Sequence, residues 1–261
     1  MTESPWNISK RDNKPFSAPD GAAKRRPNLV RERSARNGET SQAPPRRRTG
    51  TNYLNNYSVF VFMTEKIVEK GYDEIAKRYH EWRQKFDNSE QFNEFSKCLP
   101  KKAKVLDLGC GAGIPVAKFL IEKGYDVTGV DISLGMIKLA KKNVPKAKFI
   151  KISMTEMDFK ENYFDGLIAV YSIIHVPKEK QKDLFLEIKK ILKPEGITLI
   201  SLGNKNGESR EEFLGTSMFW SHHSAGTYLK MMKNMGFEII FDKTIETAGE
   251  KHYWILARNK K

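Results

Sequence analysis

Short apolar runs alternate with helical periods along most of this chain, and that alternation is its tightest constraint. Strand-like runs fall near 104–108, 126–130, 147–152, 164–170 and 197–202, with helical patterns near 114–123, 133–142 and 178–192 between them. In the last of these, Leu184, Phe185, Ile188, Ile191 and Leu192 share one face, and Pro177 suits the first turn. A further helix is expected after Ser224, an N-cap residue, with Gly236 just past its end. Two final strands, near 237–243 and 252–258, flank a turn containing glycine. Strands joined this closely by helices form a mostly parallel sheet covered on both faces, an α/β doubly wound fold.

Upstream of the alternation the chain divides in two. Ile67, Val68, Ile75, Tyr79 and Trp82 give an amphipathic helix over about 64–86, with a shorter helix around 90–97. Residues 1–62 are unlike the rest: twelve Lys and Arg against five acids carry half of the net charge of +14. This segment is rich in Pro, Ser, Asn and Arg and cannot bury enough apolar surface to offset the entropy of ordering it. Residues 1–55 therefore read as disordered, with 56–62 a short apolar junction. The expected domains are a basic extension over 1–62 and a folded domain over 63–261, interrupted on one side at about 203–224. For the extension three readings stand: nucleic-acid contact through Arg25-Arg26 and Arg46-Arg47-Arg48, a solvated extension, or a leader ahead of a start at Met63.

Several classes are disfavoured. No apolar run approaches the roughly 18–20 residues of a membrane span, and no secretory signal pattern opens the chain. The cysteines, Cys98 and Cys110, form no disulfide framework, and neither has metal-ligand spacing. A cytoplasmic protein with no metal centre is expected, its oligomeric state left open.

The chemistry concentrates after the first strand. Val105-Leu106-Asp107-Leu108-Gly109-Cys110-Gly111-Ala112-Gly113 runs from strand into helix, and the second strand ends in Val130-Asp131. In a doubly wound sheet that turn lies at the carboxyl edge, where ligands bind, and an acid at the end of the second strand suits ribose hydroxyls. A dinucleotide loop needs G-x-G-x-x-G, whereas Ile114 follows G-x-G-x-G here. Asp107 would also repel a pyrophosphate. A ribose ligand with a cationic amino-acid end and no phosphate fits better, and S-adenosyl-L-methionine has those properties.

These residues also resemble a family, the class I S-adenosylmethionine-dependent methyltransferases, over about 64–258. VLDLGCGAG is similar to its first motif and VDIS to its second; Phe164-Asp165, IIHV at 173–176 and LKPEG at 192–196 follow in order. The resemblance implies a Rossmann-like, seven-stranded sheet with an antiparallel last strand. It also implies that Asp107 meets the methionine amino group, that Gly109, Gly111 and Gly113 line the methionine and ribose, and that Asp131 holds the ribose hydroxyls. Ile132 would pack on adenine. Ser153 stands where many relatives place an Asp beside the adenine amino group, with the Met154 backbone N–H facing the ring. Tyr72 and Tyr79, on the leading helix, would close over the cofactor.

Methyl transfer from a sulfonium is an in-line displacement and needs a base only when the acceptor must first lose a proton. His175, after the strand at 164–170, and His223, before the late helix, are the candidate catalytic residues; a histidine anchoring its own loop is the competing reading for His175. The expected function is methyl transfer to a small-molecule acceptor, the stretch 203–224 helping to form its pocket. The alternatives are an RNA or protein methyltransferase that uses the basic extension, and a cofactor-binding scaffold without catalysis.

Overall fold

A computed structural model describes the backbone from Gly50 and side chains from Ser58 to the C-terminal Lys261. The readings placed on residues 1–49, including both arginine clusters, lie outside the described residues. The leading helix, α1, spans Gly50–Arg83 and is followed by α2 (Ser89–Lys97). Residues 50–62, expected as disordered chain and junction, thus belong to α1. Tertiary contact accounts for part of the difference: the Phe60 ring meets Phe219 of the later chain edge-on at 6.0 Å.

The alternating part follows as β1 (Lys104–Leu108), α3 (Val116–Glu122), β2 (Asp126–Asp131), α4 (Leu134–Asn143), β3 (Lys148–Lys151) and β4 (Phe164–Ala169). After a one-turn 3-10 helix at Ile173–His175 come α5 (Lys178–Ile191), β5 (Leu192–Leu202), β6 (Gly207–Phe213), β7 (Thr216–His222), α6 (Ala225–Asn234), β8 (Phe237–Thr247) and β9 (Glu250–Asn259). Seven strands form one sheet in the order β3-β2-β1-β4-β5-β9-β8. All neighbours are parallel except β9, the last strand, which runs antiparallel to both β5 and β8. The α/β, doubly wound expectation holds. β5 starts earlier than its apolar run, at Leu192, and its register against β4 shifts between Phe164 and Gly166.

Period-two burial sends alternate residues to opposite faces. Val105, Ile197, Leu199, Trp254 and Leu256 pack with α2, α3 and α4 on one side. Leu106, Leu108, Ile200, Tyr253 and Ile255 pack with α5 and α6 on the other. A third apolar cluster, bridged to the first by Trp220, joins Val68, Tyr72, Ile75 and Ala76 of α1 to Met136 of α4 and to Met218 and Phe219 of β7. It covers the carboxyl ends of β1 and β2. Among the described residues, no helix is long and apolar enough to cross a membrane, and no group of three or more His, Cys, Asp or Glu is placed to hold a metal ion.

Candidate active site

The strand order reverses at β1, the switch point at which ligands bind in open α/β sheets. The loop leaving β1 crosses Ser172, which follows β4, at very close range. A Cβ on Gly109 would lie 2.3 Å from the Ser172 Cβ, and Gly109 has φ +77°, so only glycine fits there. The Gly109 and Cys110 amides both donate to the Val130 carbonyl at 2.9 Å, which pins the loop to the end of β2. Asp131 completes the turn: its two carboxylate oxygens accept from the Gly111 and Ser133 amides, each at 2.9 Å. Enclosure at the pocket wall pushes its pKa up to about 6 against those amides.

Two connected cavities flank the loop. The larger, about 670 Å³, is lined by Gly109, Gly111, Asp131, Ile132, Ser153 and Met154 from the sheet edge, and by Glu65, Val68, Tyr72 and Tyr79 from α1. The smaller, about 390 Å³, shares Gly109, Gly111 and Tyr79 with it and adds Asp107, His80 and Arg83. Asp107 is buried, and its Oδ2 has no hydrogen-bond partner. Burial, reinforced by the Asp131 charge, raises its pKa to about 8 despite Arg83 nearby. A buried carboxyl oxygen without a partner calls for a cation or donor that the protein does not itself supply. An ammonium-bearing nucleoside meets that demand at Asp107 and offers a diol to Asp131, so these residues fit S-adenosylmethionine.

Eight of the nine expected cofactor residues line these two cavities. Gly113 does not: it faces Val144, Phe149 and Ala140, and its φ of +77° serves the turn into α3. His175 lines the larger cavity, but both ring nitrogens are engaged. Its Nδ1 lies 2.7 Å from the Phe219 carbonyl, which can only accept, so Nδ1 donates and Nε2 accepts from the Tyr72 hydroxyl at 2.7 Å. Burial lowers its pKa to about 4, keeping it neutral. His223 is not brought to the site. Its Nε2 faces the Lys178 carbonyl at 3.2 Å and its amide donates to the Tyr228 hydroxyl, on the side of α5 and α6.

Sequence reasoning missed Glu65. Its Oε1 accepts from Ser153 Oγ at 2.8 Å and from Thr155 Oγ1, which places a carboxylate where the resemblance lacked one. Also missed was Asp73, whose Oδ1 accepts from Ser133 Oγ at 2.6 Å and from the Gly135 amide at 2.8 Å, tying α1 to the N-terminus of α4. The hairpin β6–β7 occupies the stretch read as an interruption. It lines a third cavity of about 650 Å³ that shares Tyr72, Tyr79 and Tyr171 with the one at the sheet edge.

Comparison with known proteins bears on the family and the fold. Residues 105–196 match a family model described as a methyltransferase domain. The chain is 25% identical over 196 residues to the putative methyltransferase YqeM of Bacillus subtilis, a match covering 69% of this chain and 75% of that protein. It is 32% identical over 159 residues to a phosphoethanolamine N-methyltransferase of Triticum aestivum, covering 57% of this chain and 31% of that protein. It likewise spans less than half the length of the first sterol methyltransferases that it matches. The fold is shared with the 1,6-didemethyltoxoflavin-N1-methyltransferase of Burkholderia thailandensis, solved with 1,6-didemethyltoxoflavin and S-adenosylhomocysteine. That similarity has a TM-score of 0.56 at 18% identity over 85% of this chain and 94% of the other. From Val105 to Gly196, where loop, acid and sheet order coincide, the chain carries a class I S-adenosylmethionine-dependent methyltransferase domain.

Proposed function

We propose that the protein methylates a small-molecule acceptor held in the third cavity. The observation that carries this reading is the shared wall of Tyr72, Tyr79 and Tyr171, which sets a cleft of small-ligand size directly against the cofactor cavity. The phosphoethanolamine and toxoflavin enzymes, which are named for small acceptors, support the same class. Two free cysteines suit a reducing cytoplasm.

When bound, S-adenosylmethionine supplies an electrophilic methyl group on a sulfonium. The chain's own residues bind, orient and enclose. Asp107 would receive the amino-acid ammonium, Asp131 the ribose hydroxyls, and Ile132 and Met154 would flank the base. Glu65 and Ser153 would meet its exocyclic amine. His175 is a positioning residue: by accepting from the Tyr72 hydroxyl it fixes the ring that separates the cofactor from the acceptor. Orientation at near-attack distance then provides the main acceleration.

Replacing Asp131 with Ala should weaken S-adenosylhomocysteine binding by more than about tenfold with the fold retained, since a charged hydrogen bond is worth roughly 1.5–3 kcal/mol. Unchanged affinity in calorimetry would remove the site assignment. Labelled methyl transfer into a fractionated lysate checks the acceptor: label in small molecules supports the proposal, and label confined to RNA or protein contradicts it.

A further inference from the structure

The third cavity has a chemistry of its own. Its apolar wall is aromatic, with Tyr79 and Trp82 from α1, Phe213 and Trp220 from the β6–β7 hairpin, and Tyr171 after β4. Trp82 meets Phe213 edge-on at 5.2 Å, and Phe213 meets Trp220 edge-on at 5.4 Å. Carboxylates complete the lining: Glu211 and Glu212 on β6, and Glu250 at the start of β9. Among the described residues, no ion pair joins Glu211 or Glu212 to a basic side chain. Arg83, the guanidinium behind this wall, is felt by Glu250 through its charge, but its hydrogen bonds go elsewhere. It donates to the Phe86 carbonyl at 3.3 Å and to Asn88 Oδ1 at 2.8 Å, and lies 4.6 Å from the Tyr171 ring centroid.

Ring faces and carboxylates both attract cations, and the three glutamates lie exposed at the rim, where their charge favours a cation entering against the rings. His252 adds an unpartnered ring nitrogen: it lines the cavity, its Nδ1 is buried without a hydrogen-bond partner, and its Nε2 faces Glu250 Oε2 at 3.8 Å, so a proton on Nε2 leaves Nδ1 as an acceptor. Burial, with Arg83 nearby, holds that imidazole neutral down to about pH 4, so the lone pair is available to an N–H at neutral pH.

We propose that this cavity is an acceptor subsite selective for a small amine, recognised as its ammonium by the aromatic wall, the glutamate rim and His252. The proposal rests on the methyltransferase reading and adds the class of acceptor. The reaction balances without a further reagent. The nitrogen gives its proton to solvent, its lone pair forms the bond to the methyl carbon, and the carbon–sulfur pair leaves with sulfur.

The test uses the full chain with S-adenosylhomocysteine at saturation, and phenethylamine and phenethyl alcohol as paired probes. Quenching of tryptophan fluorescence reports binding, because Trp82 and Trp220 form part of the wall. At pH 7 the amine should bind at least about tenfold more tightly than the alcohol. The combined Glu211→Gln, Glu212→Gln and Glu250→Gln variant should bring the two within about twofold while S-adenosylhomocysteine affinity stays unchanged. The proposal is overturned if S-adenosylhomocysteine binds normally but the alcohol binds as well as the amine, if neither probe binds, or if the preference survives in the variant. Failure of S-adenosylhomocysteine to bind the native chain would instead overturn the methyltransferase reading, and this proposal with it.

Discussion

At the scale of single residues, the site divides by how far along the chain its parts are drawn from. Asp107, Gly109, Gly111 and Asp131 were legible because one strand–turn–helix unit and the next strand end place them, and local spacing encodes that geometry. Glu65 was not legible. It reaches Ser153 across 88 residues, and only the packing of α1 over the sheet edge brings the two together. Gly113 and His223 each sit in a suggestive stretch, yet their contacts lie away from the two cavities: Gly113 packs on Val144 and Phe149, and His223 Nε2 faces the Lys178 carbonyl. The Glu65 carboxylate is expected to meet the adenine amine, so Glu65→Ala should raise the dissociation constant for S-adenosylhomocysteine about tenfold, as befits one charge-assisted hydrogen bond. Calorimetry on the variant checks this, with inosyl-homocysteine as a control that lacks the amine. The loss should be much smaller for the control, and an equal loss for both ligands would refute the contact.

At the scale of elements, α1 and the β6–β7 hairpin carry the functional surface, and the second was missed as structure. The β6 segment Gly-Glu-Ser-Arg-Glu-Glu-Phe is largely solvated and lacks the apolar alternation that marks a strand. It pairs with β7, whose Met218 and Phe219 are buried against α1. The hairpin's register is thus set by a tertiary partner. Close approach requires Gly71: a Cβ there would lie 2.9 Å from Met218 Cε and 3.2 Å from the Ser217 carbonyl. The methionine tip can yield, but the backbone carbonyl cannot do so without moving β7. Gly71→Ala should therefore cost about 1–3 kcal/mol by overpacking, lowering Tm by several degrees. It should weaken acceptor binding through the displaced Trp220 while S-adenosylhomocysteine affinity changes less than about twofold. Thermal melts paired with calorimetry decide it. A variant as stable as the native chain would show that α1 and β7 are less tightly fitted than they stand here.

At the scale of the whole molecule, the net charge of +14 is a poor guide to function, because the charges that matter are buried and few. Asp107 is held protonated up to about pH 8 in the ligand-free protein, against an ordinary value of 3.8. A raised carboxyl pKa makes the folded state bind more protons than the unfolded chain, so stability falls as pH rises from the unfolded value through the folded one. Asp131, raised to about 6, acts in the same direction over a narrower range. His175 and His252, lowered to about 4 from 6.5, act oppositely, and their stabilisation is lost as pH falls from 6.5 through 4. The two pairs offset each other in acid. Between about pH 7 and 8 the histidines are largely neutral in both states and Asp131 is largely ionised in both, which leaves Asp107 to set most of the slope. A whole proton is worth 1.36 kcal/mol per pH unit, so an acid that goes from nearly full to half protonation over that unit contributes about 1 kcal/mol. Chemical denaturation of the ligand-free protein should therefore show stability declining by about that amount from pH 7 to 8, and Asp107→Asn should flatten the decline. The same substitution should cost at least about tenfold in S-adenosylhomocysteine affinity, because the carboxylate that destabilises the empty fold is the one the ligand's ammonium needs. A decline that persists in Asp107→Asn would show that the burial of this acid is not what couples stability to binding.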